Sequence, residues 1–317
     1  MIRSFQAMIN NKFTLNFSVD IESMLLREFL QTRGISKRTL TAVKYDGGKL
    51  MVNGVERTVR HTVEFGDTVT VQFPIEQLSD GLKPEMGTLS VIYEDDVLLI
   101  LDKPAGQSSI PSRDQPIGTV ANFVAGKFAA ERVPSTVHVV TRLDRDTSGL
   151  MCIAKNRHIH HLLNEQMRID GFTRGYTAFI EGVLKHNSLS IEQPIGRKDG
   201  SIMERIVRSD GQYARTDLEV TGRFKQFDKQ YMAINLKLYT GRTHQIRVHM
   251  NWLGHPLVGD DLYGGSKLLM NRQALHCSAI GFRHPLTNQL MRFESSLPLD
   301  MQHLIREEFT MKQTSLC

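Results

Sequence analysis

The sequence predicts an α+β protein: a large domain on a mixed or antiparallel sheet, residues 89–310, preceded by a small domain, residues 13–75, with residues 76–88 as linker. Three observations carry this reading. From Leu89 onward strand signals dominate and helices come singly, without the regular alternation of a parallel βα fold. From Pro74 to Gly87 the chain holds two prolines, two glycines and scattered charges with no apolar period, which is the composition of a linker. Ahead of the linker lies a short stretch with its own helix, turn and strand signals.

In that first stretch Leu25, Leu26, Phe29 and Leu30 fall on one helical face, and Gly34 follows as a stop. Ser36 can cap a second helix that turns Leu40 and Val43 inward. This helix opens with Lys37 and Arg38, the wrong sign for the positive end of a helix dipole, so an anionic partner is expected there. Leu50 to Val52, an Asn53-Gly54 turn and Val55 onward read as a hairpin. Gly66-Asp67 then introduces an alternating strand, Thr68 to Phe73. Between Met24 and Arg60 eight basic residues face three acidic ones, a surplus equal to the +5 of the whole 317-residue chain. Such a field usually meets a polyanion; the bland alternative is a solvated face. Helix, basic helix, "VNG" hairpin and closing "GDTVTV" strand resemble the small αL RNA-binding domain of one ribosomal protein and many RNA-modifying enzymes. The resemblance implies RNA binding through Arg33, Lys37 and Arg38.

In the large domain "VLLILDKPAG", Val97 to Gly106, is an apolar run closed by Lys-Pro-Ala-Gly. Val120, Phe123, Val124 and Phe128 predict one helix, and Ile159, Leu162, Leu163 and Met167 another. Met232, Ile234, Leu236 and Leu238 alternate with their neighbours as the clearest strand. Three stretches are too specific for background. In "VVTRLDRDTSGLMCIAKN", Val139 to Asn156, a carboxylate at Asp144 sits on a hydroxyl-rich, glycine-containing loop between two apolar runs. "TRGYTAFIEG", Thr173 to Gly182, is a strand presenting Tyr176. In "LYTGRTHQIRVHMNWLGHPLVGDDLYGG", Leu238 to Gly265, a strand ends at Gly241 and a helix brings Arg247 round.

These stretches, with "YEDDVLLILDKPAG" before them and "RQALHCSAIGFRHPLT" after, resemble the RluA-type family of RNA pseudouridine synthases over about residues 88–295. The resemblance implies a pseudouridine synthase fold and the isomerisation of uridine in RNA. By it, Asp144 would be the catalytic aspartate of an Arg-Leu-Asp-x-x-Thr-Ser-Gly motif, Tyr176 the active-site tyrosine and Arg247 the basic residue paired with the aspartate. Arg142 would be the side chain inserted where the target base leaves the stack. The family usually has histidine before Arg-Leu-Asp, where this chain has Thr141, and often lysine where it has Arg174. Thr141 leaves the catalytic set intact and bears on substrate choice. With an αL domain in front, large-subunit ribosomal RNA is the expected partner, with transfer RNA the other candidate.

The chemistry suits these residue types. Pseudouridine formation breaks the bond from ribose to a uracil nitrogen, rotates the base and rejoins the sugar to a ring carbon. Nothing is oxidised and no group is imported, so no cofactor and no metal are expected; the chain carries no P-loop, Rossmann fingerprint or metal box. A carboxylate can act as nucleophile or as base, and a nearby arginine favours its ionised form. Asp144 and Asp146 also form a DxD pair, as at the start of a haloacid-dehalogenase-type phosphatase, though that fold wants it near its first strand. His158, His160 and His161 share no ligand face and read as a solvated helix face; His244 reads as a pocket or hydrogen-bonding residue. A different class of answer is an RNA-binding assembly factor whose catalytic residues are secondary.

Composition is that of an ordinary globular chain, 40% hydrophobic and 23% charged. No window approaches the roughly 18 apolar residues of a membrane span, and Met1 to Lys12 lacks the features of a secretory signal. Cys152, Cys277 and Cys317 have no CxxC spacing, so stray or buried thiols in a reducing compartment are expected. The expectation is a cytoplasmic, monomeric protein.

Overall fold

The computed structural model of the chain describes residues 12–305. The expectations for the first eleven residues, for Cys317 and for the last residues of the large domain lie outside this range.

The small domain is built from β1 (Thr14–Ser18), β2 (Ser23–Leu25), α1 (Leu26–Thr32), α2 (Lys37–Tyr45), β3 (Lys49–Val52), β4 (Val55–Glu56), β5 (Thr62–Glu64) and β6 (Thr68–Gln72). A four-stranded antiparallel sheet in the order β1-β6-β3-β4 carries it, and β2 pairs with β5. Local chemistry explains the elements. Leu26, Phe29 and Leu30 are the buried face of α1. Ser36 caps α2, its hydroxyl accepting from the Thr39 N–H at 3.1 Å. Asn53 and Gly54 both take positive φ, 52° and 80°, as the two-residue turn between β3 and β4 requires.

The expected linker contains no helix or strand, yet it is not slack. The Glu76 carboxylate accepts from the Arg157 N–H at 2.8 Å and is held by His138. Further on, the Glu85 N–H donates to the Asn122 carbonyl at 3.0 Å, and the Asn122 amide donates to the Lys83 carbonyl at 2.8 Å. The segment is therefore a strap laid across the first helix of the large domain. Gly126 in that helix makes room for it, since a Cβ there would come within 2.0 Å of the Glu85 carbonyl oxygen. Composition showed the irregular backbone; only the fold shows what the strap touches.

The large domain continues with β7 (Val91–Glu94), β8 (Leu98–Lys103), α3 (Val120–Ala130), β9 (His138–Val139), β10 (Ser148–Ala154), α4 (Arg157–Arg168) and β11 (Thr173–Glu181). It is completed by β12 (Ser188–Glu192), β13 (Ile195–Arg197), β14 (Arg205–Val207), β15 (Arg215–Gln226), β16 (Lys229–Leu238), α5 (Gln245–Trp252), β17 (Leu275–Arg283) and β18 (Leu290–Glu294). Ten strands form one mixed sheet, whose main path runs β12-β15-β16-β11-β17-β10-β8-β7. Every pairing in it is antiparallel except β10 with β17. The fold is α+β, as the sequence predicts. The parallel contact is short, Ser148 with His276 and Gly149 with Cys277. It explains Gly149, whose φ is 112° and where a Cβ would lie 2.3 Å from the Cys277 carbonyl oxygen.

One continuous apolar cluster joins the two domains. At their junction Phe73 stacks on His158 with ring centroids 5.1 Å apart. His158 is thus buried rather than on a solvated helix face, a correction to the sequence reading: its ring packs against an aromatic brought from another domain. No helix among the described residues is long and apolar enough to cross a membrane.

Candidate active site

The loop between β9 and β10 carries Asp144, and the backbone around it is tied down from several sides. Ser109 brackets Leu143, its hydroxyl accepting from the Leu143 N–H at 3.0 Å and donating to the Leu143 carbonyl at 2.6 Å. The ammonium of Lys103, buried at the end of β8, donates to the carbonyls of Pro104, Gln107 and Arg145 at 2.8, 2.8 and 3.0 Å. Burial pushes the Lys103 pKa down to about 8, against the pull of Asp146 and Asp144. Three carbonyl acceptors match its three N–H groups, so at neutral pH it serves as a charged clamp. From the far side Arg272 donates to the Asp146 carbonyl at 3.1 Å, and Gln273 to the Thr147 hydroxyl at 3.1 Å. Thr141 is part of the same frame: its hydroxyl accepts the Cys152 N–H at 2.9 Å.

The Asp144 side chain is left facing a cleft of about 1100 Å³. Arg247, on α5, reaches its Oδ2 with Nη1 at 3.4 Å. The rest of that guanidinium fork is bound to Asp260, Nε at 2.8 Å and Nη2 at 2.7 Å. Burial works against the Arg247 charge, but Asp260 and then Asp144 raise its pKa on balance. The Arg247 guanidinium also lies over the Tyr263 ring, 5.0 Å from its centroid.

Tyr176 lies on β11 where the register with β17 shifts between Gly175 and Thr177, a bulge that re-aims one side chain into the cleft. It is buried beside Cys277, and burial holds its hydroxyl pKa well above the ordinary value, so it stays a neutral donor. Arg142 is exposed and lines the same cleft, with Arg145, Arg168, Arg174, Arg215 and Arg242. Tyr213 and Tyr239 lie among these cations. The lining is that of a cleft for a polyanion with aromatic surfaces for bases.

Four of the expected site residues, Asp144, Tyr176, Arg247 and Arg142, therefore share one cleft. Arg33, Lys37 and Arg38 lie in the small domain. Lys37 and Arg38 are exposed in the first turn of α2. Arg33 sits differently: it pairs with Asp20 and covers the Phe29 ring at 4.8 Å, with its side chain 12% exposed. The sequence reading missed Asp260, Lys103, Ser109 and Tyr263. Of these only Lys103 leaves a local signal, a lone cation closing an apolar run.

The fold and this loop present one braced carboxylate in a cleft suited to a polyanion, and known relatives make the class an RNA-modifying isomerase. The family model of RNA pseudouridylate synthase matches residues 97–252. The chain is 45% identical over 285 residues to "Uncharacterized RNA pseudouridine synthase YjbO" of Bacillus subtilis, spanning 90% of this chain and 99% of the relative. It is 35% identical over 272 residues to "Ribosomal large subunit pseudouridine synthase D" of Xanthomonas campestris, spanning 81% and 80%. Among solved structures, "Human RNA Pseudouridylate Synthase Domain Containing 1" shares the fold, with a TM-score of 0.54 and 24% identity over 70% of this chain and 96% of that one. The chain belongs to the RluA-type family of RNA pseudouridine synthases, which replaces the phosphatase reading of Asp144 and Asp146.

Proposed function

We propose that this enzyme isomerises specific uridines of large-subunit ribosomal RNA, with Asp144 as the reacting carboxylate. The observation that carries the catalytic assignment is the placing of Asp144: a braced loop, a cationic partner at 3.4 Å, and an arginine-lined cleft in front. The target uridine leaves its stack, at a cost of a few kcal/mol, and Arg142 at the rim fills the place it vacates. Asp144 acts at the ribose, as nucleophile or base, while the bond from C1′ to N1 breaks. Tyr176 lies under the freed uracil and keeps it in the cleft. The ring turns, C1′ bonds to C5, the C5 proton leaves and N1 gains one, so no atom is added or lost overall.

For the substrate, two observations favour ribosomal RNA. The chain carries a small basic domain ahead of the catalytic one, with Lys37 and Arg38 exposed at a helix N-terminus. Relatives named for the large ribosomal subunit are 32–35% identical to it over 80% or more of the chain. Pseudouridine mapping by carbodiimide treatment and primer extension, on total RNA from cells with and without the gene, tests this. Loss of discrete stops in large-subunit ribosomal RNA is expected; loss only in transfer RNA would move the substrate there.

A further inference from the structure

Next to Asp144 stands a side chain that the assignment above leaves unused. His244 takes the left-handed conformation, φ 57° and ψ 22°, immediately before α5. Non-glycine residues seldom adopt it, and it persists where the surroundings hold it. Its ring lines the cleft, and Nε2 comes 3.9 Å from Asp144 Oδ2. That distance is too long for a hydrogen bond.

The other side of the ring settles which nitrogen carries the proton. His244 Nδ1 lies 2.9 Å from the Tyr263 hydroxyl, and the same oxygen accepts the Arg205 backbone N–H at 2.9 Å. Tyr263 is buried. If Nδ1 were the protonated nitrogen, the hydroxyl oxygen would accept twice and its own proton would be buried without an acceptor. The satisfied arrangement has Tyr263 donating to Nδ1. Burial also lowers the His244 pKa, against the opposing pull of Asp144, so the ring is neutral at neutral pH. In neutral imidazole the remaining proton is then on Nε2. Among the described residues no hydrogen bond engages that N–H; it points beside the reacting carboxylate.

We propose that the His244 Nε2–H is a catalytic donor to a uracil carbonyl oxygen, O2 before the base turns and O4 after, with Tyr263 holding the tautomer. When the bond from C1′ to N1 breaks, its electrons remain on the uracil, and the charge is shared by N1, O2 and O4. A fixed donor meeting one of those oxygens in a desolvated cleft favours that state. Uracil has an approximate two-fold axis through N3 and C6. Turning the ring about it exchanges N1 with C5 and O2 with O4. One stationary N–H can therefore serve the ring in both orientations. The proposal rests on Asp144 as the reacting carboxylate.

The test uses the full chain and, as probe, total RNA labelled with tritium at uracil C5 in cells lacking the gene, so that the RNA species need not be known. Single-turnover tritium release is followed for wild type and for Asp144→Asn, His244→Phe, His244→Gln and Tyr263→Phe. His244→Phe keeps a ring but no donor and is expected to slow release about 100-fold, with half-saturating enzyme concentration changed less than about twofold. His244→Gln restores an N–H near Nε2 and is expected to recover most of the rate, while Tyr263→Phe falls between. A His244→Phe rate within about twofold of wild type, or a His244→Gln rate as low as the Phe variant, overturns the proposal. Undiminished release by Asp144→Asn would overturn the assignment of Asp144 and the proposal with it. Independently of RNA, long-range 15N NMR of histidine-labelled protein is expected to show His244 as the Nε2–H tautomer; an Nδ1–H tautomer also overturns it.

Discussion

Arg247 gives Nε and Nη2 to Asp260, at 2.8 and 2.7 Å, and keeps only Nη1 for Asp144, at 3.4 Å. Its position is therefore set by a buried carboxylate that does not line the cleft, and the longer contact to Asp144 is not what holds it there. Asp260 is 1% exposed, so the pair is desolvated and bidentate, the geometry in which arginine cannot be replaced by lysine without loss.

Asp260→Asn keeps the shape and removes the charge. A buried guanidinium deprived of its partner costs about 3 kcal/mol or more of stability, measurable by urea unfolding. Turnover should fall as well, by about tenfold or more, because the fork then turns to Asp144 and ties up the carboxylate proposed to react. Lowered stability with unchanged single-turnover rates would show that Asp260 serves the fold alone.

Asp144→Asn should abolish isomerisation, with a loss on the order of 10⁴-fold. The loop is held by Ser109, Lys103, Arg272 and Gln273 through backbone groups and the Thr147 hydroxyl, not through the Asp144 carboxylate. Melting temperature and RNA affinity are therefore expected to stay near wild type, and a large drop in either would contradict this division of labour.

Lys103 gives a pH signature with opposite signs for stability and activity. Its pKa in the fold, about 8, lies below the ordinary value of 10.5. Between those values the unfolded chain holds more protons, so the contribution of Lys103 to stability rises with pH across that window and is flat below it. The clamp on the Asp144 loop, however, needs the ammonium and weakens as pH passes 8. Wild type should gain stability relative to Lys103→Met between pH 8 and 10.5 while its turnover declines. Parallel pH profiles for the two proteins would count against the clamp.

Lys37→Ala with Arg38→Ala tests the small domain. If both contact phosphates, the slope of log affinity against log salt should shallow by about 1.5, while single-turnover rates on saturated RNA stay close to wild type. Equal slopes would remove this helix from the RNA surface. Arg33 belongs in a separate variant, because its pairing with Asp20 and its packing on Phe29 make a fold defect the expected result there.

What could be read of the fold from the sequence was carried by local chemistry, whereas the roles expected of Tyr176, Arg247 and Arg142 came only with the resemblance to the RluA-type family. The Ser36 cap, the Asn53-Gly54 turn and the alternation of β16 are decided within a few residues, and the structure has each where the sequence predicts it. The Asp144 loop was legible because hydroxyls, a glycine and flanking apolar runs occur together. What escaped depends on distant partners. The pairing of β2 with β5 joins segments separated by two helices and a hairpin, and the strap over α3 has no period. Nothing in the sequence near Asp260 announces that Arg247 will dock there. Gly126 and Gly149 are explained only by backbone passing within contact distance, at Glu85 and Cys277.

The most direct test is to add purified wild type or Asp144→Asn protein to RNA from cells lacking the gene and to map pseudouridine before and after. Wild type should create discrete sites in large-subunit ribosomal RNA, at the positions lost in those cells, and Asp144→Asn should create none. New sites made equally by both proteins, or by neither, would contradict the assignment of Asp144 as the residue that makes this protein an enzyme.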